Sequence, residues 1–305
     1  MRARAFRHDD LPFLRSVMAG WIAEAGRCGY DHTGELPHRV YDNLRDRRPA
    51  GELVRWWQDA DGPAGIAITL RFGCAFDVFA APRLRGGPLE LSMLEWAAGA
   101  TARAMDAAEP YVLTDVFDCD ATRIELLGRA GFSRFRVWDH VNERDLRDPV
   151  PEPQLPAGFR LRHALPRDAQ GLAEARNAAF GDDWTGPSYR SAVMERPGYD
   201  PRDEIVVEAP GGGVAAFAVG WIDGRNGIGH FEPVGTHPAF WRRGLARAAM
   251  SHAMRRMRAL GLTAVTVNHD AGNAAARELY RSLGFVRRHE TYGFRRPAAA
   301  MPSSG

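Results

Sequence analysis

Three stretches of this chain recur in order at a nearly constant spacing, and a chain that repeats itself has two similar cores to bury. RAFRHDDLPFLRSV (residues 4–17) parallels RHALPRDAQGLAEA (162–175). FDVFAAPRLRG (76–86) parallels FEPVGTHPAFWRR (231–243), and DATRIELLGRAGF (120–132) parallels NAAARELYRSLGF (273–285). The landmark pairs Arg4/Arg162, Pro82/Pro238 and Phe132/Phe285 lie 158, 156 and 153 residues apart. Ordered self-similarity of this kind is the mark of a tandem duplication. Between the copies, RDPVPEPQLPAG (147–158) carries Pro149, Pro151, Pro153 and Pro156. Each proline lacks an N–H and fixes φ, so this segment reads as an extended linker. The expected organisation is a domain over 1–146, a linker over 147–158, a second domain over 159–296 and a disordered tail over 297–305.

Hydrophobic spacing in the second copy alternates strand and helix. Strands are expected near 159–163, 204–208, 214–223, 228–235 and 286–294, and β-branched TAVTV (263–267) reads as a buried one. APGGG (209–213) has the glycines that a hairpin wants. Helices are expected over 166–180, 188–196, 244–260 and 273–283, the last two stopped by Gly261 and Gly284. In the helix from Gly244, Leu245, Ala249, Ala253, Met257 and Leu260 recur at helical spacing. Asp10 and Asp168 stand at helix starts. The fold class is mixed α/β, with a mostly antiparallel central sheet flanked by helices.

Chemistry concentrates where the 228–235 strand meets the helix at Gly244. Arg242 and Arg243 stand at a helix N-terminus, where free N–H groups and the helix dipole already place positive charge. Each arginine there costs about 0.3–1 kcal/mol unless an anion is bound, and phosphate suits such a site. Net charge is +2, which makes no case for nucleic acid. There is no lysine, which excludes Schiff-base and Walker-type lysine chemistry. Cys28, Cys74 and Cys119 are far apart in sequence, so reduced thiols and no metal site are expected. With no signal-like or membrane-spanning run, a cytoplasmic protein with no membrane partner is expected.

Residues 159–294 resemble the GNAT superfamily of acetyl-CoA-dependent N-acetyltransferases, and the tandem layout resembles its two-domain members of the mycothiol synthase type. The superfamily's loop signature, R/Q-x-x-G-x-G/A, is met by Gly244 and Ala246, with Trp241 in place of the leading Arg or Gln. A second signature, N-x-x-A-x-x-L-Y-x-x-x-G-F, is met by Asn273, Ala276, Leu279, Tyr280, Gly284 and Phe285. The resemblance implies that acetyl-CoA is bound by Val234, Gly235 and Thr236 along the pantetheine arm. Arg242, Arg243, Gly244, Leu245, Ala246 and Arg247 would lie at the pyrophosphate, with Asn273 near the coenzyme. In the first copy the aligned loop reads Arg85-Gly86-Gly87-Pro88-Leu89-Glu90, and Leu127 replaces the tyrosine. Pro88 has no N–H to donate and Glu90 brings a like charge, so this copy is expected to be degenerate and not to bind the coenzyme productively.

Amine acetylation needs a base for the ammonium proton, a donor for the thioester oxyanion and an acid for the leaving thiolate. Glu232 is the candidate base, a backbone N–H near 234–236 the oxyanion donor and Tyr280 the acid. His230 and His237 are rivals of Glu232 as base: His230 shares a strand face with it, as a relay partner or a residue that positions the substrate, and His237, before Pro238 at a turn, reads as structural. Asp182, Asp183 and Trp184 are weak candidates for holding a cationic acceptor. The expected function is acetyl transfer to a small-molecule primary amine by a monomer or homodimer. A protein or peptide N-terminal acetyltransferase, or an acyl-CoA-binding module without turnover, are the alternatives.

Overall fold

The computed structural model describes residues 1–45 and 48–298. It divides into two compact units that do not follow the chain's midpoint. Unit 1 comprises Met1–His32, His38–His140 and His289–Gly305; unit 2 comprises Thr33–Pro37 and Val141–Arg288. Each unit therefore takes a segment that the repeat assigns to the other copy.

Unit 1 contains β1 (Arg2–Ala5), α1 (Leu11–Ala25), α3 (Ala50–Leu53), β2 (Val54–Asp59), β3 (Gly62–Arg71), β4 (Ala75–Ala80), α4 (Pro88–Ala104), β5 (Tyr111–Phe117) and α5 (Ala121–Arg129). The one-turn α2 (Glu35–Pro37), which precedes α3 in the chain, belongs to unit 2. β1 to β4 pair antiparallel with their neighbours, whereas β4 meets β5 parallel. On the far side of β5 lies the chain's closing strand, β12 (Val286–Pro297), with Thr291 opposite Phe117 and Pro297 opposite Tyr111. The core is a cluster around Phe76, Met93, Leu94, Val112 and Leu127, completed by Phe294 from β12.

In unit 2, the end of β6 (Ser133–Asp145) comes next after α2. It is followed by β7 (Arg160–His163), α6 (Ala169–Phe180), α7 (Gly186–Tyr189), β8 (Glu204–Glu208), β9 (Val214–Asp223), β10 (Ile228–Thr236), α8 (Leu245–Ala259), β11 (Ala264–Asp270) and α9 (Ala274–Ser282). The strand order runs β6-β11-β10-β9-β8-β7. Within it β10 runs parallel to β11, whereas β7, β8, β9 and β10 pair antiparallel in series. One cluster packs α8 on the sheet through Leu245, Ala249, Met250, Ala253, Met254 and Met257. Leu260, expected on the same face, is 55% exposed, because the helix ends at Ala259 and Gly261 turns the chain at φ +85°. Asn142 of β6 donates to the Val267 carbonyl of β11 at 3.3 Å, and Leu146 N–H donates to the Thr263 carbonyl at 2.9 Å.

The expected helices and strands of the second copy are present with ends shifted by a few residues, the 188–196 helix being split into α7 and a wider turn over Arg190–Met194. The prolines of 147–158 hold that segment out of helix and strand. The expectation for the cysteines is corrected: Cys28 and Cys119, 91 residues apart in sequence, form a disulfide, and Cys74 alone is free and buried. Sequence separation hid the pair because the α1 loop folds back onto the end of β5. Of the tail expected to be disordered, Pro297 ends β12 and Ala298 N–H donates to the Pro110 carbonyl at 3.0 Å. Residues 299–305 lie outside the described residues.

Candidate functional site

The site in unit 2 begins with a sheet that opens. β10 runs parallel to β11 from Ile228↔Ala264 to Phe231↔Val267, while its register with β9 continues to Thr236↔Ala216. The register with β9 shifts between Phe231 and Val234, at the cis Glu232–Pro233 bond. Past this point β10 follows β9, and its other edge faces a groove of about 610 Å³, within the usual range for a ligand site. Gly235 is required here: a Cβ would lie 2.5 Å from the Phe217 ring.

At the mouth of the groove the chain turns through Pro238–Phe240 into α8. His237 caps that turn by accepting from Ala239 N–H at 3.2 Å, which is the structural role expected of it. Trp241 donates its indole N–H to the Thr236 carbonyl at 2.9 Å, tying the loop to the strand. Arg242 (φ +61°) and Gly244 (φ +75°) both adopt the left-handed conformation. For arginine that costs about 1–2 kcal/mol. Left-handed residues in series turn successive N–H groups toward one side, a concave donor set suited to an anion. No side chain caps α8, and a Cβ on Gly244 would meet nothing within 4 Å, so the helix start stands open.

All ten residues expected at the coenzyme line this one groove: Val234, Gly235, Thr236, Arg242, Arg243, Gly244, Leu245, Ala246, Arg247 and Asn273. Tyr280 lines it too. Asn273 is also the N-cap of α9, its side chain accepting from Ala276 N–H at 3.0 Å. Tyr280 is 6% exposed and stacks near His269 and Phe285. Burial first, and then the negative charge of Glu232, raise its hydroxyl above the ordinary tyrosine range. Tyr280 thus keeps its proton at neutral pH and can donate it.

Glu232 and His230 do not line the groove; they meet a residue that the repeat assigns to the other copy. Ligand-capable atoms of Glu35, His230 and Glu232 lie within 4.8 Å of one another. His230, 1% exposed, contacts Glu35 Oε1 through Nε2 at 2.9 Å and Thr266 Oγ1 through Nδ1 at 2.8 Å. Glu232 is anchored by its carbonyl, which accepts from the Trp221 indole at 2.7 Å. The Trp221 side chain also supports the incoming segment: a Cβ on Gly34 would lie 2.2 Å from Trp221 Cβ, so only glycine lets Glu35 come this close. Sequence reasoning missed Glu35. It lies 195 residues from His230, belongs to no motif and has no counterpart in the repeat. The glycine before it was the sole local signal.

The 182–184 loop differs from expectation. Trp184 is 5% exposed and packs with Tyr189 in a cluster that includes Leu172 and Phe217. Its N–H donates to Asn177 Oδ1 at 2.8 Å and its carbonyl accepts from Asn177 Nδ2 at 2.7 Å. It is a core residue, since an indole of this size gains more from burial than from an open loop. Asp182 and Asp183 precede it outside the groove lining.

In unit 1 the repeated loop is closed from within. Glu90 is fully buried in the first turn of α4. It accepts from Gly86 N–H at 2.5 Å and from Arg123 Nε at 2.7 Å. Arg85 pairs with Asp120, the N-cap of α5.

The family model described as "Acetyltransferase (GNAT) family" matches residues 169–285. A mycothiol acetyltransferase of Nocardiopsis dassonvillei is 30% identical across 91% of this chain and 92% of its own. One from Thermobispora bispora is 33% identical across 52% of this chain and 56% of its own. Among solved structures, a GCN5-related N-acetyltransferase from Sphaerobacter thermophilus aligns over 99% of this chain and 96% of its own, with TM-score 0.63 and 22% identity. A tandem GNAT protein from the clavulanic acid biosynthesis pathway aligns over 99% of both chains, with TM-score 0.66 and 13% identity. These two share the fold, with two GNAT-like domains in the second. The class is therefore an acyltransferase. The chain belongs to the GNAT family of acetyltransferases, whose co-substrate is acetyl-CoA.

Proposed function

We propose that this protein transfers an acetyl group from acetyl-CoA to the primary amine of a small molecule, with the active site in unit 2. The observation that carries the reading is the junction of two features. A groove lined by every residue expected at the coenzyme ends on Tyr280, and Tyr280 feels the charge of Glu232 beside Glu35 and His230. Two carboxylates sharing one partly buried place call for a cation, and a protonated amine supplies it. In this reading the coenzyme's diphosphate sits on the N–H groups that open α8, with Arg243 and Arg247 alongside. Its pantetheine arm lies along the free edge of Val234–Thr236 as an added strand.

Glu35 and Glu232 hold the acceptor ammonium, and Glu232 takes a proton from it. The neutral amine then attacks the thioester carbonyl carbon. A backbone N–H of the 234–236 segment donates to the oxygen as negative charge develops there. As the tetrahedral intermediate collapses, the C–S bond breaks, Tyr280 gives its proton to the departing thiolate, and the attacking nitrogen releases its second proton to water, from which Tyr280 is reprotonated. The names of the relatives favour an acceptor of the mycothiol class, a free-amine precursor of that thiol. Release of free coenzyme A thiol on adding such an amine tests the reading, alongside a panel of amino acids, aminoglycosides and peptides. Turnover only with peptides would favour N-terminal peptide acetylation instead. Acetyl-CoA binding with no turnover on any amine would reduce the protein to a binding module.

A further inference from the structure

In unit 1, three metal-ligating side chains converge, and a fourth is bonded to one of them. Asp118, Cys119 and His289 each offer a ligand atom within 4.8 Å of the other two, and Cys28 is bonded to Cys119. We propose that, when the Cys28–Cys119 disulfide is reduced, these four residues form a zinc site of two thiolates, one imidazole and one carboxylate.

The frame is suited to the task. Asp118 and Cys119 sit in the turn from β5 to α5, and His289 lies on β12, the neighbour of β5. Asp118 N–H donates to the Glu290 carbonyl at 2.9 Å, so three of the four residues are set by two hydrogen-bonded strands. Only Cys28 arrives from elsewhere, on the loop after α1. His289 Nδ1 is 2.9 Å from Asp118 Oδ1. Two light-atom ligands around tetrahedral zinc stand about 3.3 Å apart, so an ion entering there displaces the shared proton with little movement. Two thiolates on zinc stand about 3.8 Å apart, a separation that rotation about the cysteine χ angles provides once the bond is cut. Cys119 is exposed, and the His289 and Asp118 side chains are 40% and 29% exposed, so both a reductant and an ion have access.

The two states exclude each other, because the same sulfurs serve both. Two equivalents of a small thiol reduce the bond, becoming one small-molecule disulfide and leaving two protein thiols. Those thiols lose their protons as they bind the ion. Either state holds the loop that carries Cys28, seven residues before Glu35 in the chain.

The experiment is anaerobic titration of the phosphine-reduced full-length protein with Co²⁺ and then Zn²⁺. One equivalent of Co²⁺ is expected to give an intense near-ultraviolet thiolate-to-cobalt band, which Zn²⁺ abolishes. Oxidation with diamide should then release one zinc to a chromogenic chelator, while the thiol count falls from three to one. Cys28→Ser and Cys119→Ser should lose the band. His289→Ala keeps both sulfurs, so its oxidised form should melt like the oxidised parent. Its reduced form should bind Co²⁺ at least about tenfold more weakly. Zinc should raise the melting temperature of the reduced parent and not of the oxidised one. Absence of the band in reduced protein, or an unchanged band in Cys28→Ser and Cys119→Ser, overturns the proposal. So does unchanged Co²⁺ affinity in reduced His289→Ala.

Discussion

The two copies of the loop before the long helix solve one electrostatic problem in opposite ways. In unit 2 the loop and its arginines line an open groove, and no side chain caps α8. In unit 1 the loop supplies its own anion: Glu90 reaches the Gly86 N–H and Arg123 from inside, and Asp120 occupies Arg85. A helix start that must wait for a ligand carries repulsion when empty; one that holds a carboxylate of its own is stable at all times and useless to a diphosphate. Pro88 in the place of Gly244 and Glu90 in the place of Ala246 are the differences that, on the proposed reading, separate a binding loop from a structural one. Leu127 in place of the tyrosine agrees, being fully buried in the apolar core of unit 1.

Several changes break or sharpen this contrast. Glu232→Gln is expected to lower kcat by about 10²–10⁴-fold, the usual worth of a general base, with acetyl-CoA affinity by calorimetry unchanged. A loss of coenzyme affinity instead would put Glu232 in the binding loop's work and blur the division. Glu90→Ala leaves Arg123 charged and buried without its partner, and denaturant unfolding should show about 3–5 kcal/mol lost. The variant should still bind one acetyl-CoA per chain, since Pro88 lacks the N–H; a second site appearing would mean that Glu90 alone closes the first loop. Arg243→Glu should weaken acetyl-CoA by about 10- to 100-fold, while Arg85→Glu should leave that affinity alone. Asn273→Ala, which removes the α9 cap, should cost about 1 kcal/mol in stability.

The pH dependence sharpens the assignment of Tyr280. Its hydroxyl titrates above the ordinary value of about 10, so its acid form survives as pH rises. Being raised on folding, its contribution to stability is complete below the unfolded value and is lost only as pH climbs through the folded one. Between pH 7 and 9, kcat should show no fall that Tyr280→Phe removes. A limb in that range that disappears in the variant would mean that the tyrosine ionises early and is no acid reserve.

Much of the site was legible because it is local. Gly244, Ala246 and Arg243 lie within four residues of one another, and the backbone of such a segment has few ways to turn. Asn273 and Tyr280 are seven residues apart, two helical turns, so their relation follows from helix geometry. Glu35, the Cys28–Cys119 pair and the buried face of Trp184 were not legible. Each depends on which distant surface the segment meets, and nothing in a local pattern encodes that.

The sequence by itself determined the repeat and the mixed α/β class, and it marked the loop at Gly244 and its counterpart at Pro88 as the place where the copies differ, all matters of spacing and of single residues with fixed conformational or hydrogen-bonding capacity. The tertiary structure alone decided how the copies share their parts. It sent Thr291–Pro297 to pair with β5 in unit 1 and placed Thr33–Pro37 in unit 2, where Glu35 meets His230. The reason is physical: a strand's pattern says that it needs a hydrogen-bonded neighbour and an apolar face to cover, and either copy of a duplicated fold offers both.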